Sequence, residues 1–228
     1  MNWKHFWNQR ARLDNPLSQV ARIRHGHVMD EQIMERIADR IKIQLSLTPL
    51  DDVLDVCCGN GYLSRLLTRY TKSVTGVDVA EDQINRARRF SENSKLIFYT
   101  ADAASFNLER KFDKILLYFS FQYFDSYQTG KDVITNLIRH LKPGGVILLG
   151  DIPDQEKIHL YYTTPWLRLK NKIKTAFGKS DMGKFWNRSE LDQICHSLNV
   201  SGRYMTQEDW QPYTDYRFDY LIVLQNEN

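Results

Sequence analysis

Short apolar runs alternate with stretches of helical period through the middle of this chain, and the alternation begins only after an N-terminal segment of different character. In that segment Trp3, Phe6 and Trp7 lie three and four apart, which predicts a short helix with one docking face. An irregular stretch, DNPLSQVARIRHGH, follows. Asp30 then stands as an N-cap before Ile33, Met34, Ile37, Ala38, Ile41 and Leu45, a helical stripe that should end near Thr48-Pro49. From there VLDVCC, SVTGVDV, LIFYTA, KILLYFSF and GGVILLG read as strands. YLSRLLTRY, DQINRARRF and a stretch from about Lys131 to Leu141 read as the helices between them. Continuous apolar strands alternating with helices are the pattern of a parallel sheet covered on both faces.

The rhythm breaks after Asp151. A basic, aromatic stretch precedes RSELDQICHSL, a helix in which Ser189 and Asp192 have capping-box spacing. Near the C-terminus Phe218, Tyr220, Ile222 and Leu224 face opposite to Arg217, Asp219, Leu221 and Val223, and two strands without an intervening helix should close the sheet antiparallel. The expected fold is α/β, a doubly wound, mostly parallel sheet with an N-terminal helical cap, in a single domain. Residues 1–47 would form the cap or lid, 48–153 the ligand-binding core, 154–187 a basic insertion, and 188–228 the closing helix and strands.

Composition narrows the class without naming a function. With 42% apolar and 26% charged residues the 228-residue chain is that of a globular protein, and 31 basic against 28 acidic side chains give a net charge of +3, too little to announce a nucleic-acid partner. No apolar run is long enough to span a membrane, and the charged start MNWKHFWNQR does not resemble a signal peptide, so the expected location is the cytoplasm. Adjacent Cys57 and Cys58, with Cys195 far along the chain, offer neither a disulfide framework nor a metal site.

The chemistry concentrates at the ends of the predicted strands. The first runs into Asp55-Val56-Cys57-Cys58-Gly59-Asn60-Gly61 and then directly into a helix, so the glycines sit where the backbone must turn sharply beneath a ligand. The second ends in Asp78, where a carboxylate can accept both hydroxyls of a ribose. The third ends in Thr100-Ala101-Asp102-Ala103. A glycine turn with three spaced acids describes a nucleoside-binding crevice at the carboxyl edge of the sheet.

With these motifs in order, the stretch from about Asp52 to Pro153 resembles the core of class I S-adenosylmethionine-dependent methyltransferases of the small-molecule type. VLDVCCGNGYLSRLL is similar to the family's first motif, VTGVDVA to its second, TADAASF to its third and LKPGGVILLGDIP to the approach to its fifth strand. The resemblance implies a seven-stranded sheet and S-adenosyl-L-methionine as cofactor. It places Gly59 and Gly61 beneath the methionine portion, with Cys57 and Asn60 in the same loop and Asp55 orienting the loop and the amino group. Asp78 would hold the ribose and Val79 pack on adenine, Asp102 and Ala103 would meet the adenine edge, and Tyr118 and Ser120 would lie under the reacting methyl. The family usually has glycine where Cys57 stands, and a small side chain fits there if its φ is negative. Methyltransferases of nucleobase amines carry Asp or Asn, Pro-Pro and an aromatic after the fourth strand. Here Tyr118-Phe119-Ser120-Phe121 stands instead.

The implied reaction is in-line displacement of the sulfonium methyl by a small-molecule acceptor. His27, with His25 beside it, and Asp151 are the candidates for a general base. Phe121, Tyr123 and Phe124 are candidates for the substrate wall, whereas Phe119 reads as core. Arg22 or Gln19, in a segment that reads as a lid, would reach the cofactor's carboxylate. Competing readings are a non-catalytic methyltransferase-like subunit and a nicotinamide-dependent dehydrogenase, for which Tyr127 and Lys131 supply a YxxxK spacing that Gly130 should hold on a loop. The acceptor and the oligomeric state are not legible.

One further feature bears on partners. Between Lys157 and Lys184 seven basic residues stand against Asp181 alone, a local charge of +6 that leaves −3 for the rest of the chain. Trp166, Leu169, Ile173 and Phe177 recur there at helical spacing. The segment reads either as a helix packed on the domain with a solvated lysine face, or as a cover that draws in an anionic or sugar-linked acceptor or rests on an anionic membrane surface.

Overall fold

The computed structural model describes residues 1–24, 27–89, 95–177 and 182–224. His25 and Lys179 therefore lie outside the described residues. Helix α1 (Trp3–Arg10), the short α2 (Pro16–Gln19) and a ribbon of β1 (Ile23–Arg24) and β2 (His27–Val28) form the N-terminal segment. Helix α3 (Glu31–Leu45) is capped as expected, Asp30 Oδ1 accepting from the Gln32 N–H at 2.9 Å, and ends at Ser46 in the left-handed region. Then β3 (Asp52–Val56), α4 (Tyr62–Leu67), β4 (Ser73–Asp78), α5 (Glu81–Arg89), β5 (Leu96–Thr100), β6 (Phe112–Tyr118), α6 (Tyr127–Arg139) and β7 (Leu141–Pro153) alternate. The chain closes with α7 (Ile158–Tyr161), α8 (Pro165–Ala176), α9 (Arg188–Ser197), β8 (Ser201–Thr206) and β9 (Arg217–Val223).

Seven strands form one sheet in the order β5-β4-β3-β6-β7-β9-β8. All neighbours are parallel except those of β9, which runs antiparallel to β7 and β8. The chain winds outward from β3 to β4 and β5, then returns to the other side of β3 with β6, so the winding direction reverses between β3 and β6. Residues beyond the carboxyl ends of those two strands line a crevice at this reversal point.

Strand periodicity divides the core between the two faces. Ile115 and Leu117 pack with α6 and α9 residues such as Val133, Leu137 and Leu191, whereas Leu116 and Tyr118 pack with Ile41, Leu67 and Ile84 of α3, α4 and α5. On β9, Phe218, Tyr220 and Ile222 join the first cluster and Leu221 the second, as their alternation requires.

Two local expectations are corrected. Helix α6 begins at Tyr127 and carries Gly130 inside it, because the ring of Trp186 fills the space a side chain would need: a Cβ on Gly130 would stand 2.3 Å from it. The cap of α9 is Asn187 with Glu190, whose Oε2 accepts from the Asn187 N–H at 2.9 Å, and not Ser189 with Asp192.

Candidate active site

The crevice is a cavity of about 340 Å³. Its lining includes Asp55, Cys57, Gly59, Asn60, Asp78, Val79, Asp102, Ala103, Tyr118, Ser120, Tyr123, Phe124 and Arg22, so these candidates come together on one surface. Asp78, buried at the end of β4, accepts from the Gly59 N–H at 2.9 Å through Oδ2 and from the Ala80 N–H at 2.8 Å through Oδ1. Each oxygen keeps acceptor capacity. Burial pushes its pKa up, and the backbone N–H groups of Ala80, Gly59 and Val79 oppose that shift. Asp55, at the heart of β3, is pushed up to about 7 by burial, with Ser64 opposing through a 2.5 Å hydrogen bond and Asp78 adding to the rise.

Two buried carboxylates facing one cavity invite hydroxyl or cationic groups. Gln83 adds an observation the sequence did not supply. Its Nε2 donates to the Trp7 and Gln19 carbonyls, while its buried Oε1 has no partner among the described residues and lies 4.0 Å from where a Cβ on Gly59 would stand. A buried acceptor left unmade costs free energy, and a ligand donor in the crevice would satisfy it. Gly59 itself has φ +56° and lies against Val20, so the backbone approaches the cavity where a side chain would not fit.

Strain gathers at the same edge. Cys57, Phe119 and Asp151 all have positive φ, at +60°, +68° and +60°, and lie at the carboxyl ends of β3, β6 and β7. Cys57 thus takes the left-handed conformation that suits glycine, contrary to the negative φ expected of it. Residues held in this region persist where their surroundings over-determine them, and they cluster at ligand sites.

Several sequence candidates are displaced. Phe121 has no exposed surface and lies in the core against Trp186, with ring centroids 4.7 Å apart, because it starts a 3₁₀ turn (Phe121–Tyr123) that folds back over β7. Phe119 is buried in the core cluster as expected, and it also lines the crevice, where its ring lies beneath Arg22. Gly61 lies outside the lining: at φ +74° it starts α4, and a Cβ there would meet the Phe98 ring at 2.7 Å. His27 is exposed on β2 and does not line the crevice. Asp151 is buried and held by Arg217, whose Nη1 donates to Asp151 Oδ2 at 2.8 Å, and its N–H donates to Asp219 Oδ1 at 2.9 Å. Neither His27 nor Asp151 lines the crevice. Gln19 is engaged with Asn60 and the Leu13 carbonyl, leaving Arg22 as the one of these two that faces the cavity.

The N-terminal segment supplies the other wall. Trp3, Lys4, Trp7 and Val20 line the cavity, and Trp3 and Trp7 pack on Tyr123 with centroids 4.4 and 5.5 Å apart. The docking face of α1 was legible in sequence, but its partner was not. None of the described residues between 157 and 184 lines the crevice. Tyr127 and Lys131 share a helix face, yet Tyr127 packs on the core and neither lines the cavity, so the dehydrogenase reading loses its catalytic pair. Among the described residues no cluster of His, Cys, Asp or Glu could hold a metal ion, and no helix is long and apolar enough to cross a membrane.

Known proteins agree with this geometry. Residues 53–145 match the family model described as a methyltransferase domain. Over that stretch the chain carries a methyltransferase domain. A malonyl-[acyl-carrier protein] O-methyltransferase of Priestia megaterium is 29% identical over 152 residues, 65% of this chain and 53% of that protein. The chain thus spans about half the length of that relative. A ubiquinone biosynthesis O-methyltransferase of Rickettsia typhi is 22% identical over 98% of this chain and 87% of its own length. Among solved structures, the N-methyltransferase NodS from Bradyrhizobium japonicum in complex with S-adenosyl-L-homocysteine superposes with a TM-score of 0.63 at 17% identity, covering 100% of both chains. At that identity the likeness shows the fold. The methyltransferase domain accounts for the strand order, the glycine turn and the acid at the end of β4 together.

Proposed function

We propose that this chain transfers the methyl group of S-adenosyl-L-methionine to an anionic small-molecule acceptor. The observation that carries the reading is the Asp78–Gly59 pair beside the unpartnered Gln83 Oε1, set at the reversal point of the sheet: two carboxylate oxygens and an amide oxygen offer acceptors to ribose hydroxyls and an ammonium. Asp102 and Ala103 border the adenine end, and Arg22 takes the methionine carboxylate. When bound, the cofactor supplies an electrophilic methyl on a sulfonium leaving group.

The protein's contribution is position. Trp3, Trp7, Tyr123 and Phe124 form an aromatic wall that suits a flat acceptor or a sugar face, and Lys4 is a cation on that wall. The acids of the crevice lie on the cofactor side, so an anionic acceptor meets Lys4 without facing them. Burial pushes the Tyr118 hydroxyl well up, with Asp219 and Asp151 adding, and burial raises Tyr123 as well. Both therefore keep their protons at neutral pH and are not bases; Tyr123 orients the acceptor, whereas the Tyr118 hydroxyl accepts from Gln211 Nε2 at 3.1 Å in the core. Holding two reactants at near-attack distance supplies much of the acceleration for a leaving group this good.

Calorimetry with S-adenosyl-L-homocysteine tests the reading. Binding by the wild type, weakened about tenfold to a hundredfold in Asp78→Ala, is expected from the loss of a charge-assisted acceptor. Equal affinity in the variant would remove Asp78 from the site, and no binding by the wild type would leave a non-catalytic subunit. A thermal-shift screen of nucleotide sugars and quinone precursors in the presence of S-adenosyl-L-homocysteine then reads the acceptor class.

A further inference from the structure

Helix α8 turns its apolar side chains away from the domain it belongs to. It is moored through its polar face: Asn171, its buried residue, accepts from the Tyr162 hydroxyl at 2.8 Å, and Arg168 donates to the Tyr162 carbonyl at 3.2 Å. Trp166, Leu169, Ile173 and Phe177 are 69%, 50%, 53% and 74% exposed. At about 100° per residue these four fall within an arc of about 80°, centred about 160° from Asn171. An apolar stripe on the outward side of a helix is the reverse of what core packing produces.

The charges have an equally definite arrangement. Lys170 and Lys174 border the stripe on one side and Lys172 on the other, and the helix sequence PWLRLKNKIKTA contains no acid. The surrounding segment carries +6 while the rest of the chain carries −3, so an anionic surface would attract this helix and repel the remainder, fixing one orientation. A convex apolar band with tryptophan on it and lysines on both borders matches a helix lying in the headgroup plane of an anionic bilayer, its rings and aliphatic side chains below the phosphates. α8 leaves the sheet beyond the carboxyl end of β7, the edge on which the crevice opens.

We propose that α8 docks the protein on an anionic lipid bilayer, with Trp166, Leu169, Ile173 and Phe177 inserted and Lys170, Lys172 and Lys174 on lipid phosphates. This inference is independent of the cofactor reading, because no α8 residue lines the crevice.

Co-sedimentation of the full chain with phosphatidylcholine vesicles, with and without phosphatidylglycerol, tests it. Binding should require phosphatidylglycerol and fall at least tenfold between about 0.1 M and about 1 M salt, as the screening length shortens. Leu169→Ser combined with Ile173→Ser should lower vesicle binding at least tenfold, and Lys170→Gln with Lys172→Gln and Lys174→Gln should lower binding to phosphatidylglycerol vesicles to the level seen with phosphatidylcholine alone. Circular dichroism keeps misfolding of either variant apart from loss of docking. A wild-type chain that stays in the supernatant with phosphatidylglycerol vesicles, or a Leu169→Ser, Ile173→Ser variant that sediments like it, overturns the proposal. So does a concentration-dependent dimer abolished by the serine pair, which would assign the stripe to a second copy.

Discussion

The guanidinium of Arg22 lies 3.7 Å above the ring of Phe119, and both line the crevice. Its Nε donates to the Val20 carbonyl at 2.9 Å, while its terminal nitrogens have no hydrogen-bond partner among the described residues. Burial lowers the Arg22 pKa, with Tyr123 and Asp151 opposing and Tyr213 adding to that opposition. A buried guanidinium held flat by an aromatic face, its terminal donors unused, is prepared for a carboxylate. Arg22→Met should therefore weaken S-adenosyl-L-homocysteine about tenfold to a hundredfold by calorimetry. 5′-Methylthioadenosine, which lacks the carboxylate, should bind both proteins alike. A parallel loss for both ligands would show that Arg22 only shapes the lid.

Phe121 and Tyr123 share one turn and should answer differently to truncation. Phe121 is fully buried against Trp186, so Phe121→Ala should cost about 3–5 kcal/mol of stability in urea unfolding. Tyr123 lines the cavity between Trp3 and Trp7, so Tyr123→Ala should chiefly raise the acceptor's KM. Equal stability losses in both variants would remove Tyr123 from the acceptor wall.

What the sequence revealed and what it withheld divide along a physical line. The alternation of strands and helices, the glycine turn and the acids at strand ends follow from local periodicity and from where a parallel sheet places its loops. Asp78 and Asp102 were therefore legible one residue at a time. The Asp151–Arg217 pair was not, because its members are 66 positions apart and each alone reads as a surface charge. Phe119 was legible as core, but its positive φ and its place on the crevice beside Arg22 were not. Gln83 carried a weak signal, a polar residue beside Ile84 and Ala87 on the buried face of α5. For α8 the stripe was plain, but no local pattern says whether a stripe faces the domain or away from it.

Cys57 stores strain that one substitution should release. At φ +60° a side chain crowds its own backbone, and glycine removes that conflict. Elsewhere glycine costs unfolded-chain entropy, so the net gain in Cys57→Gly should be modest, about 0.5–1 kcal/mol, read as a raised Tm. Cofactor affinity should hold, since the thiol is pushed well up by burial, stays protonated and brings no charge to the cavity. A lowered Tm would show that the sulfur's packing outweighs the backbone strain.

Asp55 should couple cofactor binding to pH. In the free protein burial pushes it up to about 7, far above the range of an exposed carboxyl. Because this pKa is raised, the folded state holds a proton that the unfolded state gives up. Asp55 therefore favours folding at pH below the unfolded value, about 4, and that contribution is lost as pH rises through about 7. An ammonium of the bound cofactor beside Asp55 would favour the ionised form, so binding below neutrality should release one proton. The dissociation constant for S-adenosyl-L-homocysteine should then fall about tenfold per unit from pH 5 to 7 and level off above. Asp55→Asn cannot ionise, so it should flatten both profiles: affinity weak at every pH, and stability against urea constant from pH 5 to 8 as far as this residue contributes. Calorimetry in buffers of different ionisation enthalpy counts the released proton directly. A wild-type affinity that stays constant from pH 5 to 8, with no proton released, would place Asp55 outside the ammonium's reach and leave it as a structural partner of Ser64.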